Sequence, residues 1–221
     1  MLKLQNETMQ AWNKENVNSK LLEAFSKNSE TKLLKVLKEN SFLFYELYSR
    51  KQGIQPNFCE VILGSRSRCD FVWLNDNSDG PEWVLVEIEK PKLKLFKKNN
   101  TPTVYLNSAI EQVKSWDRYF QDNPDEKRRI FGIVAKFRFI LVVGDGEAWK
   151  QREAFKWRKY HNSTSNIEIR TSDVFMRALN ILKTNPELLW SFAENPKSLN
   201  YAKLDEYQLS NQYLSIMKNR F

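Results

Sequence analysis

The sequence predicts an α/β domain: a mixed sheet flanked by helices, with helical extensions at both ends. Three observations carry that prediction. Apolar, strand-like runs follow one another at 58–63, 69–74 and 83–89, joined by connections rich in turn residues. Segments with helical spacing of apolar residues stand on either side of them. The order of elements is helix, three strands, helix, strand, in a chain of 221 residues, a length that suits one domain with additions.

The elements read as follows. Up to residue 29 the chain is polar apart from Leu21, Leu22 and Phe25, which marks an N-terminal helical arm. Ser29 is placed to cap a helix at 30–39, with Glu30 and Thr31 in its first turn and Leu33, Leu34, Val36 and Leu37 on its apolar face. Phe42, Leu43, Phe44 and Leu47 extend a second helical segment to about Tyr48. The turn-rich segments 64–68 and 75–81 make the three strands an antiparallel meander. Pro91 ends the third strand, and a lysine-rich loop follows. The next helix has Leu106, Ala109, Ile110, Val113, Trp116 and Phe120 on its face. Ser108 and Glu111 stand at capping-box spacing, and a start one turn earlier, after Pro102, is the alternative. Apolar runs at 130–135 and 139–143 come next, the latter stopped by Gly144-Asp145-Gly146. A helix is expected at 148–160, a short strand at 167–169, and a helix through Val174, Ala178 and Leu182. The tail, 186–221, is helical in pattern, with Leu188, Leu189, Phe192, Leu204, Leu209, Tyr213 and Ile216. It is expected either to cover the core or to join copies of the chain into a homo-oligomer. There is no internal repeat.

Composition narrows the chemistry. A single histidine excludes zinc sites that need two and hydrolases built on a histidine cluster. No Gly-Lys-Ser/Thr loop is present, and Gly144-Asp145-Gly146 lacks the third glycine of a dinucleotide fingerprint. Two cysteines, Cys59 and Cys69, cannot form a disulfide framework, and they read as buried small hydrophobes in a reducing cytoplasm. The longest apolar run is interrupted by Lys136 and Arg138, and no secretory signal is read, so a cytoplasmic chain without membrane attachment is expected. Thirty-five basic against 27 acidic residues leave +8, which favours a polyanionic partner, chiefly nucleic acid or an anionic membrane surface. An enzyme of this composition must work with carboxylates and lysines.

The third strand run, Trp83-Val84-Leu85-Val86-Glu87-Ile88-Glu89, places carboxylates inside apolar sequence. Alternation puts Leu85, Glu87 and Glu89 on one face, the two glutamates about 7 Å apart at their Cα atoms, and turns Val84, Val86 and Ile88 toward a core. Asp70, on the neighbouring strand, comes within reach of the pair if the two strands form a hairpin. Carboxylates gathered at a strand end bind a hard cation such as Mg²⁺ or Mn²⁺. The alternative is a solvated strand face that carries two glutamates.

These residues resemble a known pattern. Cys69-Asp70-Phe71-Val72, then Leu85-Val86-Glu87-Ile88-Glu89-Lys90-Pro91 with Leu95-Phe96, resemble the PD-(D/E)xK nuclease core, a restriction-endonuclease-like fold, and within it the Shedu family of prokaryotic anti-phage defence proteins. Ala109-Ile110-Glu111-Gln112-Val113 and Trp116 are similar to that family's A-I-x-Q-V-x-x-(Y/W) helix, and Gly144-Asp145-Gly146 and 166–179 fit its C-terminal half. The resemblance covers about 30–185, a nuclease-like domain between the arm and the tail. It implies a metal-dependent DNA endonuclease with Mg²⁺ or Mn²⁺, DNA as partner, Asp70 and Glu87 as metal ligands, the backbone carbonyl of Ile88 as a third donor, and Gln112 beside them. The family pattern carries lysine two residues after the glutamate; here Glu89 stands there and Lys90 follows. Glu89 is expected to complete the metal shell or orient water, and Lys90 to neutralise charge. Arg66 and Arg68 before Asp70, and Lys92, Lys94, Lys97 and Lys98 after Pro91, are the candidate phosphate contacts. The rival readings are a DNA-binding module whose altered motif no longer turns over, and an assembly protein that uses the apolar tail. His161 reads as a surface residue without a catalytic role.

Overall fold

A computed structural model describes residues 11–65 and 67–218. Six strands among these residues make one mixed sheet: β1 (Asn57–Leu63), β2 (Ser67–Asn77), β3 (Gly80–Ile88), β4 (Lys136–Val142), β5 (Ile167–Arg170) and β6 (Leu199–Asn200), in the order β5-β4-β3-β2-β1-β6. The first three form the antiparallel meander expected from their turn-rich connections. β3, β4 and β5 run parallel, as strands joined through helices must, and β6 lies parallel to β1.

The helices cover both faces. α1 (Lys14–Ser26), α2 (Glu30–Glu39) and α6 (Asp173–Thr184) bury Leu21, Leu33, Val36, Phe175 and Leu179 against Phe71, Trp73, Val84, Val86 and Ile140. α3 (Val104–Asp122), α4 (Pro124–Phe131), α5 (Arg152–Thr164), α7 (Leu204–Ser210) and α8 (Gln212–Met217) lie on the opposite face. There Leu106, Val113, Trp116, Phe131 and Leu214 pack on Val72, Trp83, Leu85 and Leu141. No helix among the described residues is long and apolar enough to cross a membrane.

Capping sets the helix starts. Ser29 accepts from the Lys32 N–H, which fixes α2 where the sequence placed it. α3 starts one turn before Ser108, because Thr103 accepts from the Leu106 N–H and also donates to the Lys94 carbonyl, at 2.9 Å. Ser108 is therefore interior to the helix. The segment after Asn40 is a single 3₁₀ turn, Ser41–Phe44, and not a helix to Tyr48. Ser41 gives its N–H to Pro196 and its hydroxyl to Asn195, so the tail takes the groups that would continue a helix. The run at 130–135 forms no strand: it is the end of α4, closed by Gly132 at φ 66°, and the loop into β4. α5 starts at Arg152, four residues later than expected, because Asp145 accepts from the Ala148 N–H and holds a turn there. His161 is half-buried, stacked on Trp157 at 5.1 Å, rather than a plain surface residue.

The tail packs on the chain itself. Leu189 and Phe192 are buried in the core beside α6. Tyr207 donates to Gln55 at 2.7 Å and Tyr213 to the Asn77 carbonyl at 2.6 Å, and Leu209 stays 80% exposed.

One irregularity of the sheet shapes its split. Cys59 and Phe71 lie in the α1/α2/α6 layer, whereas Val61 and Cys69, two residues along each strand, lie in the other. Strict alternation would keep each pair on one face. Both strands therefore kink at the same level, at Glu60 (φ 56°) and at Asp70. The β2–β3 ladder ends there, at Phe71 and Val86. Beyond that point the two strands part.

At the other end of the sheet Glu168 on β5 is held by Arg170 at 2.8 Å and by Arg138 on β4. Burial works to raise its pKa, but the hydrogen bonds from Arg170 and Arg138 outweigh it and hold the carboxyl below its ordinary value. The stability this gives is complete above the unfolded carboxylate value of about 4.3 and is lost as pH falls through the lower folded value. Glu168→Gln is expected to lose about 1–3 kcal/mol at pH 7, with the gap to the wild type closing near pH 3. Urea unfolding at the two pH values measures both.

Candidate active site

The gap between β2 and β3 opens a cavity of about 460 Å³. It is lined by Asp70, Arg68 and Ser67 from β2, by Glu87 and Glu89 from the end of β3, by Glu30 and Leu34 from α2, and by Gln112 and Trp116 from α3. Both helical layers thus meet at the one place where the sheet is split.

The local chemistry explains how polar groups are held there. Where the ladder stops, the Ile88 N–H has no strand partner on β2, and Asp70 Oδ2 accepts it at 2.9 Å. The kink turns Asp70 from a ladder residue into a side chain bridging to β3. Glu87 is buried, at 8% exposure. Its Oε1 accepts from Gln112 Nε2, which joins α3 to the strand, and its Oε2 is buried without any partner. Glu89 donates its N–H to the Val142 carbonyl at 2.9 Å, which anchors the strand end on β4.

Electrostatics in the cavity are unfavourable as they stand. Burial raises the pKa of Asp70 against the opposing hydrogen bond from Ile88. Burial raises Glu87 strongly, and the charges of Asp70, Glu89 and Glu30 add to it. Glu89 is pushed up to about 7, by burial first and then by Glu30 and Asp70. Few groups offset them: Lys90 lowers Glu89 only in part, and Arg68 is already paired with Glu60 at 3.0 Å. A partnerless buried oxygen in a ring of carboxylates is costly, and a cation is the group that relieves both defects. Among the described residues no three His, Cys, Asp or Glu side chains stand close enough to hold an ion as they are. Two of the oxygens are turned to Ile88 and Gln112 instead.

The structure brings together Asp70, Glu87, Glu89, Gln112 and Arg68. It leaves Lys90 exposed and off the cavity wall, and it buries the Ile88 side chain in the opposite layer. Lys92, Lys94, Lys97 and Lys98 are exposed on the following loop and do not line the cavity. Asn28 grips that loop, accepting from the Lys92 N–H and donating to its carbonyl, both at 2.8 Å. Arg66 lies outside the described residues. Cys59 and Cys69 are buried.

Glu30 is the residue that linear reading missed. It sits in the first turn of α2, where an acid is explained by the helix dipole alone. No spacing links residue 30 to residues 70–89. The only signal for it is the capped helix start, which points the first turn at the sheet.

These features define a class: a three-layer α/β chain with a buried carboxylate cluster set where its mixed sheet splits. The family model described as Shedu protein SduA, C-terminal, matches residues 27–176, and the chain belongs to that family. No curated protein matches the chain.

Proposed function

We propose that the chain is a metal-dependent DNA endonuclease of the PD-(D/E)xK type that acts in anti-phage defence, the role the family suggests. The observation that carries the reading is Glu87 Oε2, a carboxylate oxygen buried without a partner beside Asp70 and Glu89. Hard oxygen donors of this kind suit Mg²⁺ or Mn²⁺, with Asp70, Glu87 and Glu89 as the holding residues. A bound ion supplies a polarised phosphoryl oxygen and a water that ionises near neutral pH.

The chain's own residues do the positioning. Gln112 fixes the orientation of the Glu87 carboxylate from α3, and the Ile88 N–H fixes that of Asp70. The cavity keeps the carboxylates out of bulk water, and away from that high dielectric any charge interaction is stronger. Arg68 lines the cavity, and the exposed lysines at 92–98, on the loop that follows the strand end carrying Glu87 and Glu89, offer cations for phosphates.

The test is incubation of linear and supercoiled DNA with Mg²⁺, Mn²⁺ or a chelator. Cleavage is expected with either ion and none with the chelator. Asp70→Asn is expected to lose at least about 10²-fold in rate while retaining DNA affinity. Salt-sensitive DNA binding with no cleavage under any ion would instead assign the chain as a binding module whose altered motif, Glu89 in place of lysine, does not turn over.

A further inference from the structure

α5 is an unusual helix for a packed domain. It has 13 residues and buries only Ala154. Its inner side is Trp157, Arg158 and His161, all half-buried. Its outer side, read at 3.6 residues per turn, carries Arg152, Phe155, Lys156, Lys159 and Tyr160. Phe155 is 52% and Tyr160 70% exposed. Phenyl and phenol rings left in water beside three cations are not explained by solubility, which cations alone would serve.

The lysine loop continues this surface. Phe96 on that loop meets both the Trp149 and Trp157 rings edge to face at 5.7 Å, so the loop and α5 are fastened together through aromatic contacts. Tyr105, 70% exposed in the first turn of α3, joins the same region, since Thr103 just before it bonds the Lys94 and Leu95 carbonyls. Many cations elsewhere on the chain are matched, among them Lys38 and Arg68 with Glu60, Arg138 with Glu168 and Arg177 with Glu46. Among the described residues Lys94, Lys97 and Lys98 have no such partner, nor do Arg152, Lys156 and Lys159. Six cations without an ion pair therefore share this face with the exposed rings of Phe155, Tyr160 and Tyr105.

We infer that the outer face of α5, with the lysine loop and Tyr105, binds a single-stranded polynucleotide. Cations answer the phosphates, and Phe155, Tyr160 and Tyr105 stack on bases. A duplex hides its base faces, so protruding rings gain nothing from it, whereas every unpaired base offers a face. A second copy of the chain would bring like charges together on this face, and an anionic membrane would use the cations without needing flat rings at spaced positions. The inference rests on the proposed function and deepens it by naming unpaired strand as the form of nucleic acid the chain grips.

The experiment is fluorescence anisotropy of the full chain with labelled 20-nucleotide single-stranded DNA, the same sequence as RNA, its duplex, and vesicles of anionic phospholipid. Single strands, as DNA or RNA, are expected to bind more tightly than duplex. The Phe155→Ala/Tyr160→Ala variant is expected to weaken single-strand binding at least about fivefold with its salt slope intact. The Lys156→Ala/Lys159→Ala variant is expected to reduce the single-strand log–log salt slope by about 1.4. All substituted side chains are exposed, and unchanged melting temperatures verify folding. Equal single-strand affinity in the aromatic variant overturns the inference, as does vesicle binding that outcompetes the single strand. The same holds for a dimer by light scattering that the aromatic variant dissolves. The nuclease reading fails separately: a wild-type chain that grips single strands through these residues yet cuts nothing with Mg²⁺ or Mn²⁺ keeps this inference and loses that one.

Discussion

Glu87→Gln is expected to abolish DNA cleavage and, in the same molecule, to raise the melting temperature. Glu87 is buried among Asp70, Glu89 and Glu30, and its Oε2 has no partner. Glutamine keeps the volume and the oxygen that Gln112 bonds, and it removes the cost of keeping protonated on folding a carboxyl whose pKa burial and the neighbouring charges raise strongly. The gain is expected to be about 1 kcal/mol or more, a rise of roughly 2–4 °C for a chain of this size. Cleavage, which needs the charged carboxylate, is expected to fall by at least about 10³-fold, to the assay background. Mg²⁺ or Mn²⁺ is expected to raise the melting temperature of the wild type and to leave that of the variant nearly unmoved. Paired thermal melts and a plasmid assay read all three. A variant that melts lower and still cuts would show that Glu87 is a structural residue.

Glu89 and Lys90 are separated by a second pair of variants. Glu89 lines the cavity and Lys90 is exposed outside it. Glu89→Gln is therefore expected to lose cleavage by about 10²-fold or more and to weaken metal affinity. Lys90→Ala is expected to lose less than about tenfold, through weaker charge balance alone. Initial rates across a Mn²⁺ titration separate a change in metal affinity from a change in turnover. The reverse result, a dead Lys90→Ala with an active Glu89→Gln, would mean that the end of β3 rearranges to bring the lysine in.

Much of the sheet was legible because alternation and turn residues are local properties. Leu85, Glu87 and Glu89 could be assigned to one face of β3 from spacing alone, and 64–68 and 75–81 announced the meander. The kink was not legible. Glu60 and Asp70 look like ordinary strand positions, and only the layer assignments of Cys59, Val61, Cys69 and Phe71 expose the break. Without it Asp70 could be placed near Glu87 but not bonded to Ile88. Glu30 was invisible because it reaches the cavity through packing of α2, a contact between distant parts of the chain. The start of α3 went to Thr103 rather than Ser108, since the cap also had a tertiary partner, the Lys94 carbonyl. β6 has two residues and depends wholly on β1 for its pairing, so no local pattern could signal it.

The split in the sheet also sets the order in which the cavity can come into being during synthesis. Glu30, Asp70, Glu87 and Glu89 all lie within the first 89 residues, yet β3 is a central strand, whose far side is completed only by β4 at Lys136–Val142. Gln112 and Trp116, the wall from α3, also come later than every carboxylate. A chain still emerging from the ribosome therefore carries all four of the cavity's carboxylates before it can enclose them, and until then they remain solvated. Enclosure comes only when β4 pairs and both helical layers close on the sheet, so the cluster's perturbed chemistry belongs to the finished fold and to no earlier stage.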